Sequence, residues 1–431
     1  MLSRRTFLAS VAVAPLLAQE SPTRPHVLVM SAGRMRYECL GAAGNADIRT
    51  PHLDALVSDG IFFRSAYTTW PGVTPSRYSL LSGQFARQHR GRSNRSTMLP
   101  GTPTFATLLR DAGYRTRGVG KMGFNPPRLD VGFQQLDLAE EDSAQAAVEA
   151  GDRAVAAISR WDAAQPQLML VGFPNADPAA PWDRAYDPGN VKLLPGWTDR
   201  LTDQDVRYRP GLFDETIYRN IDQAEMRRLI AREYGAVSQV DAQAGRIVDA
   251  LKKKNLYDAT LIIFVADCGE YLGFHHLYRT NNYMYDAVMR IPLIIKMPRQ
   301  FYAGTSADAQ VTLPDVTSTI LTMAGLPKPP DMRGQNLFLV LSGRRFGHLY
   351  VFAEDPWFLM ARSSGRKLVF TGDSGRSLFF DLEKDPLEMR NAINEPGYQG
   401  DIQRMQDSLL TWLHLETQAE PYIDPAAKQV K

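Results

Sequence analysis

Cysteine is nearly absent from this chain. Its 431 residues include two, Cys39 and Cys268, too few and too far apart for a disulfide framework. A charge excess is lacking as well: 49 lysines and arginines face 47 aspartates and glutamates, a net +2. That balance excludes binding to nucleic acid or to a membrane surface by bulk electrostatics. Past the first residues no run is long and apolar enough for a membrane span, and there is no internal repeat or low-complexity tract. What is present is the balance of an ordinary globular chain, 44% hydrophobic and 22% charged. The length suits one large α/β domain and a smaller one.

The first residues read as an address and not as fold. Arg4 and Arg5 form a twin arginine in SRRTFL, and an apolar run from Phe7 to Ala18 follows. The pattern is that of a twin-arginine export signal over residues 1–18, with cleavage expected after Ala18. The expected location is therefore periplasmic or extracellular.

Strand and helix signals then alternate. HVLVMS (His26–Ser31), TRGVG (Thr116–Gly120), QLMLVGF (Gln167–Phe173) and TLIIFVAD (Thr260–Asp267) are short apolar runs that predict buried strands. Ile61–Tyr67 and IPLIIKMP extend the set. Pro51–Gly60, Pro75–Gly83, Pro103–Tyr114, Gln223–Lys254 and the run LPDVTSTILTMAG have helical spacing, several with proline in the first turn or glycine just after the last. Such alternation predicts a doubly wound, mostly parallel sheet flanked by helices. Sites in such sheets lie beyond the C-terminal strand ends, where Ser31–Arg36 and Asp267–Glu270 fall. From about Gly347 short strand candidates and a final helix, Asp401–Glu416, predict a small C-terminal antiparallel sheet plus helix. The expected organisation is an α/β domain over 24–346, linked near Pro327–Arg333 to an α+β subdomain over 347–431.

Several segments, in order, resemble the type I sulfatases of the alkaline-phosphatase-like superfamily. RPHVLVMSAGRMRYECLG resembles the first strand and metal loop, and RTPHLDALVSDGIFFRSAYTTWPGVTPSRYSLLSGQ the nucleophile region. TFATLLRDAGYRTRGVGK resembles the next helix, strand and lysine. IVDALKKKNLYDATLIIFVADCGEYLGFHH resembles the second metal loop, and LPDVTSTILTMAGLPKPPDMRGQNL with LFFDLEKDPLEMRN the later core and C-terminal subdomain. The likeness runs over nearly the whole chain after the signal.

The resemblance implies a formylglycine, made from the cysteine of a C-x-P-S-R motif, that attacks sulfur while a divalent cation, usually calcium, holds nucleophile and sulfate. Here the motif reads V-T-P-S-R. Val73 stands at the cysteine position and has neither an oxidisable sulfur nor a lone pair. Thr74 is one residue off, and on a helix one residue swings a side chain far around the axis. The paired metal aspartates align with Gly33 and Arg34, and the second loop keeps Asp267 but has Cys268 at the next ligand position. Calcium wants several hard oxygens, so no catalytic residue and no metal ligand set is intact and no cofactor is expected; calcium enters only if this reading of the metal site is wrong. The family's sulfate-contacting lysine aligns with Lys121, its next histidine with Gly123, the histidine of a P-H-x-P pattern with Ala179, and its last lysine with Arg279 or Thr280.

Ser76, Arg77, Lys121 and His275 are therefore the anion-binding candidates, the helix start at Pro75 offering backbone N–H groups. Arg34 is expected to fill the vacated cation position and pair with Asp267. The reading is a pseudo-sulfatase whose cleft holds an anion such as a sulfated glycan. Two alternatives stay open: an active hydrolase of sulfate or phosphate esters by an altered mechanism, and a structural or partner-binding protein that reuses the fold.

Overall fold

The computed structural model describes residues 24–139, 143–174, 178–201, 204, 221–280, 283–371 and 376–416. The export signal read from the sequence lies outside them, as does part of the irregular stretch Asp183–Asp222. An eight-stranded sheet in the order β5-β4-β6-β1-β7-β8-β2-β9 forms the centre. Its strands are β1 (His26–Arg34), β2 (Ile61–Phe63), β4 (Arg115–Gly120), β5 (Gln135–Leu138), β6 (Gln167–Phe173), β7 (Thr260–Cys268), β8 (Leu293–Lys296) and β9 (Thr305–Ala307). Within this sheet β8 alone runs against the others, antiparallel to both β7 and β2. A short parallel pair joins β3 (Ala66–Tyr67) to β10 (Val311–Thr312).

The apolar runs dictate this arrangement. β6 and β7 are buried along their whole length and β1 along all but its last residue, as central strands covered on both faces must be. Helices Ala146–Ile158 and Gln223–Lys253 pack together, as do Val73–Ser82 and Leu313–Met323. The Gln223–Lys253 helix starts where Asp222 accepts a hydrogen bond from Glu225 N (2.7 Å) and ends with Lys252 and Lys253 in its last turn. Acid at the start and base at the end both suit the helix dipole. Among the described residues no helix is long and apolar enough to cross a membrane.

A four-stranded antiparallel sheet follows: β11 (Val351–Glu354), β12 (Leu359–Arg362), β13 (Arg366–Phe370) and β14 (Leu378–Asp381). One side of it packs against helix Gln399–Thr411 and the buried Trp412. The other packs on an aromatic cluster that includes Tyr67 of β3 and Phe274 and Tyr285 from the segment after β7. An ionic cluster lies at this junction. Asp286 accepts from Arg362 Nη2 (2.9 Å) and Lys367 Nζ (2.9 Å), and Lys367 also pairs with Glu388 (2.6 Å). Burial opposes the Asp286 charge, but Arg362 and Lys367 outweigh it and hold the carboxyl well below its ordinary range.

Candidate functional site

The C-terminal ends of β1 and β7 lie side by side, with Arg34 opposite Cys268 in the register. Side chains alternate between the two faces of a strand. Ser31, Gly33 and Asp267 therefore share one face, while Arg34 and Cys268 share the other. On the first face Asp267 is fully buried. Its Oδ1 accepts from Arg77 Nε (2.8 Å) and Ser31 Oγ (3.0 Å), and its Oδ2 accepts from Arg77 Nη2 (2.7 Å). The third guanidinium nitrogen, Nη1, donates to the carbonyls of Met122 (3.1 Å) and Lys121 (3.3 Å). Arg77 thus spends its whole fork inside the protein, tying helix Val73–Ser82 to the ends of β7 and β4. Burial pushes the Asp267 carboxyl up, and Arg77, Ser31 and Lys121 pull it back down.

The expected pairing of Arg34 with Asp267 is therefore wrong. Asp267 is taken by Arg77, and the alternation that puts Asp267 and Ser31 together sends Arg34 through the sheet. There it pairs with Glu270 at 3.7 Å and borders a cavity of about 10 Å³ with Met35, Pro174, Glu233 and Val237. That is room for roughly one water. Burial raises the Glu270 carboxyl, against the pull of Arg34 and Arg279.

The remaining sequence candidates separate. Ser76 is buried, with Oγ 2.7 Å from Thr68 Oγ1 and donating to Trp70 O at 2.9 Å. Ser76 and Arg77 point inward as framework and offer no donor to an anion, a correction to their assignment as anion ligands. His275 is also buried, its Nε2 at 3.1 Å from Leu387 O and its ring stacked on Phe274. It belongs to the packing of the antiparallel sheet, not to an anion cleft. Lys121 is half-buried just beyond β4, near enough to Asp267 for its charge to act there. Any side chain at Gly172 would run into the Lys121 carbonyl oxygen, so that glycine permits the close approach. The backbone N–H of Ala179 donates to Gln239 Oε1 (3.1 Å).

Val73 opens its helix with Gly72 before it, packed against the aromatic cluster beneath the antiparallel sheet. Its Cγ1 lies 3.7 Å from where a Cβ at Gly123 would sit. Thr74 N donates to Asn94 Oδ1 (3.1 Å), so one of the free donors at the helix start is already used. The Thr74 hydroxyl has no hydrogen bond to any described residue, hence no base to activate it. Cys268 Sγ sits 3.7 Å from Gly33 O and 3.8 Å from Thr280 Oγ1, and Thr280 donates to Pro71 O (3.0 Å). Burial, with the Asp267 charge, pushes this thiol up to about 12, so it stays protonated and inert at neutral pH.

A calcium ion needs six or more oxygens. Gly33 has no side chain, Arg34 is a cation on the far face, Asp267 is held by Arg77, and Cys268 is a protonated thiol. This donor set does not fit the ion, and among the described residues no three His, Cys, Asp or Glu side chains gather where a metal could be held. Ser31 and Glu270 were not singled out as site residues from the sequence. Period-two counting back from Gly33 is the signal that could have found Ser31.

A mostly parallel sheet with polar residues at its strand ends, followed by a small antiparallel sheet, is the arrangement that the alkaline-phosphatase-like resemblance implies. The solved structures agree at the level of fold. The phosphonate monoester hydrolase of Agrobacterium radiobacter superposes with a TM-score of 0.79 at 22% identity, over 90% of this chain and 95% of its own. A 2-O GAG sulfatase superposes with a TM-score of 0.77 at 22% identity, over 90% and 92%. The sulfatase family model matches residues 25–137 and 175–326, and the C-terminal model of N-sulphoglucosamine sulphohydrolase matches 273–414. The chain belongs to the sulfatase family. It is 25% identical to an arylsulfatase of Clostridium perfringens over 93% of this chain and 96% of the relative. It is 24% identical to an N-acetylglucosamine-6-O-sulfatase of Bacteroides thetaiotaomicron, over 88% and 84%.

Proposed function

We propose that this sulfatase-family protein does not hydrolyse sulfate esters by the formylglycine route, and that it keeps the fold to bind an anionic glycan after export through the twin-arginine signal. The observation that carries the first part is the buried bidentate pair of Arg77 with Asp267. A carboxylate already neutralised inside the protein has no need of a metal, and a buried guanidinium clamped on that carboxylate is not presented to a sulfate. Val73 adds the second absence: its isopropyl group can neither attack sulfur nor be matured into a group that does. The glycan part is supported by relatives whose names specify sugar substrates, N-acetylglucosamine-6-O-sulfatase and 2-O GAG sulfatase.

The test is an aryl-sulfate assay on purified protein with calcium supplied, together with elemental analysis of the protein. The expected result is turnover no faster than the buffer and calcium well below one per chain. Steady turnover, of sulfate or of a phosphate ester, would establish an altered mechanism instead.

A further inference from the structure

A groove of about 340 Å³ separates the antiparallel sheet from the segment after helix Val73–Ser82. Small-molecule sites start at about this size. Trp70, Arg87, Arg92, Asp355, Trp357 and Phe370 line it. Trp357 is 67% exposed, on a backbone that is held in place. It sits in the tight turn between β11 and β12, where Asp355 Oδ1 accepts from Trp357 N and Phe358 N (2.7 Å each) and Asp355 N donates to Phe358 O (2.9 Å). An indole carried on a turn of fixed backbone stays beside the groove, so less has to be ordered on binding.

The cations differ from those at the strand ends. Arg87 gives its Nη2 and its backbone N–H to Glu354 (2.8 and 2.7 Å) and lies over Trp412. Its Nε is buried without a hydrogen-bond partner, and its Nη1 bonds to no described residue. Arg92 is exposed and makes no hydrogen bond or ion pair with any described residue. Guanidinium donors beside an open aromatic face suit a sugar ring whose C–H face lies on the indole and whose sulfate or carboxylate meets the guanidinium fork. The groove is joined to the strand-end site through one segment. Thr69 O accepts from Glu354 N (3.1 Å), and Trp70 O accepts from Ser76 Oγ (2.9 Å).

We propose that this groove is the glycan-binding site, with Trp357 as stacking platform and Arg92 as the contact to the anionic group; the proposal rests on the glycan reading above and gives it a location. Titration calorimetry with a heparin-derived hexasaccharide and its desulfated counterpart tests it on the full chain. Trp357→Ala should weaken binding of both at least about tenfold, some 1.4 kcal/mol, while Trp357→Phe recovers most of it. Arg92→Gln should weaken the sulfated sugar and leave the desulfated one unchanged. Variants that bind as wild type does would overturn the groove and leave the glycan reading standing. A wild-type protein that binds neither sugar would overturn both, and the absence of hydrolysis would still stand on its own assay. Melting curves matching wild type establish that the variants fold.

Discussion

The strand-end site and the groove lie at the two ends of the segment Thr69–Ser76 and treat charge in opposite ways. At the strand ends Arg77 is closed on Asp267, out of water, and Arg34, half-buried, faces Glu270. In the groove Arg92 stands in solvent, Arg87 keeps unused donors, and an indole lies open. The contrast teaches that polar residues retained at a family's site need not be retained for ligand. A buried guanidinium with all three nitrogens bonded to the protein is a rivet, and an anion could take it only by leaving a buried carboxylate uncompensated. A half-used guanidinium beside an aromatic face carries no such cost.

The largest expected effect breaks the closed half of that comparison. Arg77→Met leaves Asp267 buried and unpaired, which should cost about 3–5 kcal/mol of unfolding free energy in urea. Arg77→Met with Asp267→Leu should recover most of it, because both charges are then gone. A single-variant loss under about 1 kcal/mol would mean water or another cation reaches Asp267.

The next effect is a pH dependence in the segment that carries Arg87 and Arg92. His89 is buried, accepts from Gly91 N at Nδ1 (3.1 Å) and faces Ser79 Oγ at Nε2 (3.0 Å). Burial is the main cause that lowers it from 6.5 to about 3. The unfolded chain then binds a proton that the folded one refuses. This histidine's stability contribution is complete above about pH 6.5 and is lost as the pH falls toward about 3. His89→Gln should therefore lose less stability than wild type between about pH 6.5 and 4. Parallel losses would show that the imidazole is already protonated in the fold.

Trp357→Ala sharpens the open half. An exposed side chain bonded only through its backbone should change stability by no more than about 0.5 kcal/mol, however much it weakens sugar binding. A large loss of stability would mean the indole is packing and not a platform. The smallest effect expected is none at all. Val73→Cys, co-expressed with a formylglycine-generating enzyme, should show no aryl-sulfate turnover, because Gly33, Arg34 and Cys268 still give a metal too few oxygens. Measurable turnover would show that the strand ends can open to take an ion.

Much of the fold was legible because burial writes itself into the chain. β6 spans the residues the apolar run predicted, β7 ends one residue later, and the long helix ends one residue earlier. Ends set by hydrogen bonding were less so. Helix Val73–Ser82 starts two residues before Pro75, which fits its first turn either way. The single run expected over Ile61–Tyr67 divides into β2 and β3, which pair with different partners, β8 and β10. At the strand ends the sequence named one pair that does not form. Arg34 and Asp267 are each beside the other's strand, but they lie on opposite faces.

By itself the sequence determined the alternation of strands and helices and which chemical groups are lacking: a valine has no lone pair and a glycine no carboxylate, whatever surrounds them. The tertiary structure decided which cation meets Asp267, because Arg77 lies 190 residues away in the chain and reaches it only through the register of β1 on β7 and the helix packed above them. It also decided that His275 is packing and that Trp357 is open. Exposure and pairing are relations between distant segments, and no local pattern encodes them.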